Sequence, residues 1–212
     1  MRVKICGLTS EQAVRDTAEA GADYLGFNFF PKSPRAISLD DAPRIIGAAP
    51  VGVMRVALVV DPDDRLLARI ADLPIDMIQL HGKETPERVQ EIREATGLPV
   101  MKVIGVRDAD DVPAIDVYAR VADQLMIDAK APKGSVLPGG NGVQFDWRLI
   151  AGRRWPVPWM LAGGLTPENV AEGIRLTGTS QVDVASGVES APGIKDPATV
   201  RRFVEASRTA AT

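Results

Sequence analysis

Two patterns of apolar and polar residues alternate along this chain of 212 residues. Short runs rich in valine, isoleucine, leucine and methionine are separated by segments whose apolar residues recur at spacings of three and four, as on one face of a helix. The apolar runs predict strands at about 2–6, 23–29, 55–60, 76–80, 99–104, 123–128, 158–162 and 182–185. The pattern therefore predicts eight strands, most of them followed by a helix.

The segments between the strands predict helices at 11–20, 39–47, 64–71, 86–96, 167–176 and 197–206, and shorter ones near 110–120 and 145–150. Three helices have a start signal, in which a side chain able to cap a helix precedes a proline suited to the first turn. These signals are Thr85-Pro86, Thr166-Pro167 and Asp196-Pro197. They place the starts of the fourth, seventh and eighth helices.

Strands that alternate with helices pair in parallel through right-handed crossovers. Eight such units in about 210 residues favour a closed (β/α)8 barrel, the TIM barrel, and leave an open doubly wound sheet as the alternative. No tandem repeat, low-complexity segment or linker divides the chain, so we expect residues 1–212 to form one α/β domain. Active sites of such barrels lie at the C-terminal ends of the strands, which directs attention to the residues found there.

The composition argues against several classes of function. The chain has 25 basic and 28 acidic residues, a net charge of −3, without long runs of either sign, so we expect no nucleic acid and no membrane as partners. No apolar stretch approaches the ~18 residues of a membrane span or forms a secretory signal at the start. A single cysteine forms no internal disulfide, which fits a cytoplasmic protein. Without a His-rich cluster or a dinucleotide-binding fingerprint, we expect no metal and no cofactor.

The one cysteine, Cys6, ends the first predicted strand, directly before a glycine. Because side chains alternate along a strand, Lys4 and Cys6 share one face, and Val3 and Ile5 share the other. If Val3 and Ile5 pack against helices, the thiol faces the barrel interior beside an ammonium group that favours its thiolate form. The alternative is that Cys6 is an inert residue of the core.

Two carboxylates lie at the ends of later strands. Asp128 ends the sixth strand on the face opposite Leu125 and Ile127, so we expect it at the barrel mouth unless it caps a turn. Asp183, in the eighth strand, alternates onto the interior face in the same way. It either faces the site or is a buried carboxylate paired with a base such as Lys4.

Glycine-rich loops follow the seventh and eighth predicted strands, where barrel enzymes often bind phosphate. Gly163 and Gly164 lie in the first loop, and Ser186 and Gly187 lie in the second. Glycine lets backbone N–H groups approach an anion closely, so the two loops together predict a phosphorylated ligand. A further glycine-rich stretch, 137–142, follows Asp128 and could close over a substrate.

Two cationic or titratable side chains complete the candidate site. Arg35 follows the second strand in a segment with two prolines, and a guanidinium on a stiff loop suits bidentate contact with a carboxylate; the alternative is an ordinary surface arginine. His81, the only histidine, ends the fourth strand. It is either a general base or a hydrogen-bonding residue of the pocket wall.

Taken in order, six motifs make the chain resemble the phosphoribosylanthranilate isomerase family of tryptophan biosynthesis. The motifs are Lys4-Ile5-Cys6-Gly7-Leu8, Gly26-Phe27-Asn28-Phe29 with Ser33-Pro34-Arg35, Gln79-Leu80-His81-Gly82, Ile127-Asp128 with Gly139-Gly140-Asn141-Gly142, Ala162-Gly163-Gly164-Leu165, and Val182-Asp183-Val184-Ala185-Ser186-Gly187. The resemblance extends from residue 2 to about 196.

The resemblance implies an Amadori rearrangement that converts N-(5-phosphoribosyl)anthranilate into 1-(2-carboxyphenylamino)-1-deoxyribulose 5-phosphate. By family analogy Cys6 is the general base and Asp128 the general acid. Arg35, His81 and Asp183 are then expected to bind the substrate. The phosphate is assigned to Gly163, Gly164, Ser186 and Gly187.

Other functions remain as alternatives at this stage. A related sugar isomerase of the histidine pathway uses two aspartates instead of a thiol and an aspartate, and indole-glycerol phosphate synthase relies on a lysine, so both resemble the chain less. A barrel that only binds a phosphorylated ligand would be expected to lack Cys6 or Asp128, and both are present. The sequence leaves open whether the protein is a monomer or a homodimer.

Overall fold

The protein is a closed barrel of eight parallel strands in the order β1 to β8. A computed structural model describes residues 1–131, 134–135, 137, 139–140 and 142–210. The strands are β1 (Arg2–Cys6), β2 (Tyr24–Asn28), β3 (Met54–Val59), β4 (Met77–Leu80), β5 (Val100–Val106), β6 (Gln124–Ala129), β7 (Trp159–Leu161) and β8 (Gln181–Val184). The predicted (β/α)8 barrel is confirmed, and the open sheet is wrong because β8 pairs with β1.

In the part of the chain that the structure describes, seven α-helices surround the barrel. They are α1 (Glu11–Glu19), α2 (Ala42–Ile46), α3 (Asp64–Ala71), α4 (Pro86–Thr96), α5 (Pro113–Tyr118), α6 (Val170–Thr177) and α7 (Pro197–Thr209). In the connection between β6 and β7, the helical structure of the described residues is a 3₁₀ turn, Trp147–Ile150. A short helix was predicted there. The second helix is shorter than the predicted 39–47, since it begins only at Ala42.

Two of the three predicted helix starts are confirmed. The Thr85 hydroxyl accepts a hydrogen bond from Arg88 N at 3.3 Å, and the Asp196 carboxylate accepts one from Thr199 N at 2.7 Å. The start at Thr166 is wrong, because α6 begins only at Val170. Asn169 Oδ1 instead accepts from Thr166 N at 2.8 Å, which folds the segment into a turn.

Apolar side chains form two separate layers, one on each side of the barrel wall. The outer layer, between strands and helices, includes Val3, Ile5, Leu125 and Ile127, as their alternation predicts. The inner layer fills the barrel interior with Tyr24, Val56, Met77, Met101, Val103, Met126, Met160 and Ala162. Side chains that lie above this inner layer therefore face the C-terminal mouth of the barrel.

The connection after β8 contains a short antiparallel hairpin that the sequence pattern did not predict. Its strands are β9 (Glu189–Ala191) and β10 (Ile194–Lys195). The hairpin brings Glu189 and Lys195 to the barrel mouth, where they join the site described next. Among the helices of the described part of the chain, none combines the length and apolar character that crossing a membrane requires.

Candidate active site

A pocket of about 770 Å³, continuous with solvent, lies at the C-terminal ends of the strands. All nine site residues predicted from the sequence line it: Cys6, Arg35, His81, Asp128, Gly163, Gly164, Asp183, Ser186 and Gly187. Residues from six different strands or their loops therefore meet in one place, as the barrel topology requires.

Cys6 points into the barrel at the end of β1 and is only 5% exposed. Its neighbour on β2 is Gly26, and a Cβ atom built on that glycine would lie 2.8 Å from Cys6 Sγ. Real side chains do not approach so closely, so glycine is needed there for the thiol to occupy its position. The strand pairing thus reserves space for the sulfur atom.

Directly below the thiol, Lys4 and Asp183 form an ion pair inside the barrel. Lys4 Nζ donates to Asp183 Oδ1 at 2.8 Å, and the lysine side chain is fully buried. Both readings of Asp183 therefore hold, since it pairs with Lys4 and also lines the pocket. Burial opposes the charged form of Lys4, but the Asp183 carboxylate and the neighbouring Cys6 outweigh it, so the pKa of Lys4 is raised.

The pKa of the Cys6 thiol lies above its ordinary value in the free protein. Burial is the largest cause, and the Asp183 carboxylate adds to it. The ammonium groups of Lys4 and Lys195 act in the opposite direction without overcoming burial. Lys4 therefore favours the thiolate, as the strand alternation predicts, while desolvation has the larger effect on the pKa of Cys6 in the free protein.

These opposing charges predict how Cys6 alkylation depends on pH. We expect Lys4→Met to slow the reaction with iodoacetamide at a given pH and Asp183→Asn to accelerate it, because only the thiolate reacts. Below the pKa, each rate should rise about tenfold per pH unit as the thiolate fraction rises. Since Cys6 is the only cysteine, one modified mass reports the reaction.

Lys83→Met is the matched control, because Lys83 is exposed and does not line the pocket. The free energy of unfolding of each variant is measured alongside, since unfolding would also expose the thiol. An apparent pKa of Cys6 that stays the same in Lys4→Met would contradict the role given to Lys4.

Asp128 lies near the end of β6, on the face toward the barrel interior, and its carboxylate has two polar contacts. Oδ1 accepts from Ala129 N at 2.8 Å, and Oδ2 lies 3.3 Å from His81 Nε2. The side chains of Asp128 and His81 are 10% and 12% exposed. Among the described residues, the ionisable group in contact with the Asp128 carboxylate is the imidazole of His81.

A glycine of the loop after β6 packs against this pair. A Cβ atom built on Gly139 would lie 2.6 Å from His81 Nε2 and 2.7 Å from Asp128 Oδ2. Only glycine lets the backbone approach the pair so closely without displacing it. The predicted closure of residues 137–142 stays a prediction, because residues 138 and 141 lie outside the described part of the chain.

Arg35 is held by a carboxylate of the protein itself. Its Nε and Nη2 donate to Glu189 Oε1 and Oε2 at 2.8 and 2.9 Å, a bidentate pair. Lys195 Nζ donates to the same carboxylate at 2.7 Å and to Ala185 O at 3.0 Å. The alternative of an ordinary surface arginine is wrong, because Arg35 is 7% exposed.

This cluster has two cations and one anion. Burial raises the pKa of Glu189, but Arg35 and Lys195 outweigh it, and the net shift is downward. Burial lowers the pKa of Lys195, which Glu189 only partly offsets. Arg35 Nη1 is not used by Glu189 and lies beside Gly140, since a Cβ atom on that glycine would be 2.9 Å away.

The two glycine loops form the part of the pocket wall near β7 and β8. Within the described chain, the N–H groups of Gly163, Gly164, Ser186 and Gly187 have no protein acceptor. Asn169 Nδ2 and Gln144 Nε2 both donate to Gly164 O, which fixes the first loop. Unpaired N–H groups on fixed loops are a suitable environment for an anion.

Three functional candidates were missed by reasoning from the sequence. Glu189 contacts Arg35, and Lys195 contacts Glu189, only because the hairpin after β8 folds over the loop after β2. Lys102 is the only charged residue within the apolar β5 sequence. It donates to Glu84 at 2.7 Å and to Gly82 O at 2.8 Å, which fixes the turn that follows His81.

The fold and the site together define a class of protein: a (β/α)8-barrel enzyme with a thiol, a carboxylate and an anion-binding wall at its mouth. Residues 3–206 match the family model described as N-(5′-phosphoribosyl)anthranilate (PRA) isomerase. The chain belongs to the N-(5′-phosphoribosyl)anthranilate isomerase family.

Individual relatives agree with this assignment. The chain is 59% identical over 209 residues to the N-(5′-phosphoribosyl)anthranilate isomerase of Cereibacter sphaeroides, covering 98% of this chain and 99% of the relative. The solved phosphoribosyl anthranilate isomerase of Thermotoga maritima is 36% identical with a TM-score of 0.89 and 99% of each chain covered. Another solved phosphoribosyl anthranilate isomerase, in complex with reduced 1-(o-carboxyphenylamino)-1-deoxyribulose 5-phosphate, is 34% identical with a TM-score of 0.86 and 99% of each chain covered.

Proposed function

We propose that this chain catalyses the Amadori rearrangement of N-(5′-phosphoribosyl)anthranilate in tryptophan biosynthesis, with Cys6 as general base and Asp128 as general acid. The observation that carries the proposal is that both groups line one pocket at the mouth of the barrel. They belong to β1 and β6, which β7 and β8 separate around the barrel wall. A substrate lying across the mouth can therefore meet an acid on one side and a base on the other.

The chemistry requires both groups. Asp128 gives a proton to the ring oxygen while the C1′–O bond breaks and the nitrogen lone pair forms an imine. Cys6, as thiolate, then removes the proton from C2′, and the electrons of that C–H bond form the enol-type intermediate that becomes the ketose. One proton leaves the enzyme and one returns to it, so the reaction is an isomerisation without net oxidation.

Phosphate binding is assigned to the wall formed by Gly163, Gly164, Ser186 and Gly187. Their N–H groups lack protein acceptors among the described residues, and all four residues line the pocket. Binding of the phosphate at one end of the substrate orients the sugar between Cys6 and Asp128. Asp183 and His81 complete the wall that contacts the sugar.

Arg35 is proposed to bind the anthranilate carboxylate through Nη1, the nitrogen that Glu189 does not use. Glu189 fixes the guanidinium plane, and Lys195 prevents that carboxylate from cancelling the positive charge of Arg35. The site thus retains a net cation for an anionic ring substituent. This arrangement needs the planar fork of arginine, which lysine does not supply.

We expect Arg35→Lys to raise KM for the substrate by about tenfold or more and to lower kcat less, because a lysine cannot bond Glu189 at two points and still reach the carboxylate. Steady-state kinetics measures both constants. Arg15→Lys on the exposed side of α1 makes the same change outside the pocket and should leave both unchanged. An unaltered KM in Arg35→Lys would remove Arg35 from the binding site.

The activity is tested by mixing the purified protein with N-(5′-phosphoribosyl)anthranilate, whose fluorescence exceeds that of the product. We expect the signal to decay at catalytic protein concentrations. A barrel that only binds the ligand would leave the signal undecayed, which would contradict the proposal. The reduced thiol that this chemistry needs also supports the cytoplasm as the compartment of the reaction.

A further inference from the structure

His81 lies in contact with the general acid, yet the mechanism above gives it no chemical step. Its Nε2 is 3.3 Å from Asp128 Oδ2. On its other side, Nδ1 lies 3.4 Å from Nε2 of the Gln79 amide. Gln79 and His81 lie two residues apart, at the end of β4, and both line the pocket. The three side chains form a chain of contacts that ends at the acid.

Each catalytic cycle leaves Asp128 without the proton that it needs to act as an acid again. In each turnover one proton moves from Asp128 to the ring oxygen, and another moves from C2′ to Cys6. Before the next turnover Asp128 must gain a proton and Cys6 must lose one. A carboxylate in water ordinarily carries no proton at neutral pH, whereas an imidazole gains and loses one near neutrality.

We propose that His81, protonated from water, supplies the proton that restores Asp128 to its acid form, with the Gln79 amide holding the imidazole whether or not Nδ1 carries a proton. This inference rests on the proposed function, because it assigns a donor to the acid named there. Transfer breaks the Nε2–H bond of the imidazolium and forms the Oδ2–H bond of Asp128. The ring then keeps its proton on Nδ1, and its Nε2 lone pair accepts a hydrogen bond from the new acid.

Gln79 is suited to this exchange because an amide has a donor at one end and an acceptor at the other. When Nδ1 is unprotonated, the amide N–H of Gln79 faces it, as the 3.4 Å contact shows. When Nδ1 carries a proton, a half-turn of the amide presents Oε1 instead. That oxygen is buried and has no hydrogen-bond partner within the described part of the chain, so it is available as the acceptor.

The other charged groups near His81 and Asp128 are bonded to partners of their own. Among the residues that the structure describes, the other ionisable side chains that line the pocket are Cys6, Arg35 and Asp183. Asp183 is bonded to Lys4, and Arg35 is bonded to Glu189. Below the turn that follows His81, the Lys102–Glu84 ion pair is bonded to the backbone of Gly82. His81 is thus a positioning and proton-supplying residue that acts through Asp128.

The test is chemical rescue of His81→Ala with imidazole in the assay buffer. We expect kcat to fall about 10²-fold with KM changed less than about threefold, since general acid catalysis contributes on that order. Added imidazole should restore kcat at least tenfold, in proportion to the imidazolium concentration as pH is varied. His81→Gln, which fills the space, should lose the same activity without rescue.

A matched pair of variants examines the glutamine. Gln79→Met should lower kcat, whereas Gln124→Met, the same change at a buried interior glutamine that bonds Gln181 below the pocket, should leave kcat unchanged. A raised KM with kcat retained in His81→Ala would leave His81 only its contact with the sugar, without a part in proton supply, and would overturn the proposal. A loss of kcat that imidazole does not restore would also overturn it, by indicating a structural role.

Asp128→Asn separates this proposal from the proposed function. If Asp128→Asn turns over substrate at a near-normal rate, the acid assignment itself fails, whatever His81→Ala does. If Asp128→Asn is inactive and imidazole does not restore it, the acid assignment stands, and the rescue of His81→Ala alone decides the role of His81.

Discussion

Cys6→Ser is expected to lower kcat of the isomerisation by about 10³-fold or more, with KM changed less than about threefold. A serine hydroxyl occupies nearly the same space between Gly26 and the pocket, but it is a much weaker acid than a thiol and provides almost no anion at neutral pH. Because the change is nearly isosteric, it removes the base without disturbing the binding of phosphate or carboxylate.

The measurement is decay of substrate fluorescence in steady state, with Cys6→Ala alongside. Both variants should be equally inactive if the thiolate acts as a base, because neither supplies one. Near-normal turnover in Cys6→Ala would contradict the role of Cys6. Unchanged binding of a phosphorylated product analogue, followed by calorimetry, confirms that the pocket of each variant is intact.

The activity also depends on pH through the Cys6 thiol. The pKa of Cys6 is raised in the free protein, chiefly by burial, so the thiolate fraction at neutral pH is small and falls as the pH falls. The activity should therefore decline on the acidic side in step with loss of the thiolate. Lys4 and Lys195 limit this decline, because their charges favour the anion.

The features of the fold and site that could be predicted from the sequence are those set by residues close together in the chain. The alternation of Val3, Lys4, Ile5 and Cys6 is local, and it correctly predicted which side chains face the helices and which face the barrel interior. Capping at Thr85 is also local and was predicted. The ends of the strands then placed every candidate residue at one mouth, since parallel strands share an orientation.

Contacts between distant segments could not be predicted in this way. Arg35 and Glu189 are 154 positions apart, and their pairing depends on a hairpin whose sequence has no strong strand signal. The pKa of Cys6 depends on the balance between desolvation and charge, and the depth of burial follows only from the closed barrel. The sequence correctly predicted the neighbour Lys4 but not which effect is larger.

The second large effect is expected in Asp128→Asn, which should lower kcat by about 10³-fold because an amide cannot give up a proton to the ring oxygen. Asparagine keeps the shape of the side chain and can still accept from Ala129 N, so the loop after β6 should stay in place. Alkylation of Cys6 should keep its pH dependence, since its charged neighbours are Lys4, Lys195 and Asp183. Steady-state kinetics and the alkylation rate are both measured.

Asp183→Asn is the matched comparison, because it makes the same change at the other strand-end carboxylate of the pocket. Asp183 is bonded to the Lys4 ammonium at 2.8 Å, so its carboxylate already has a partner inside the barrel. Its loss should therefore reduce kcat far less than the loss of Asp128. If Asp128→Asn kept its turnover while Asp183→Asn lost about 10³-fold, the acid would be Asp183, and the ion pair with Lys4 would have to open during catalysis.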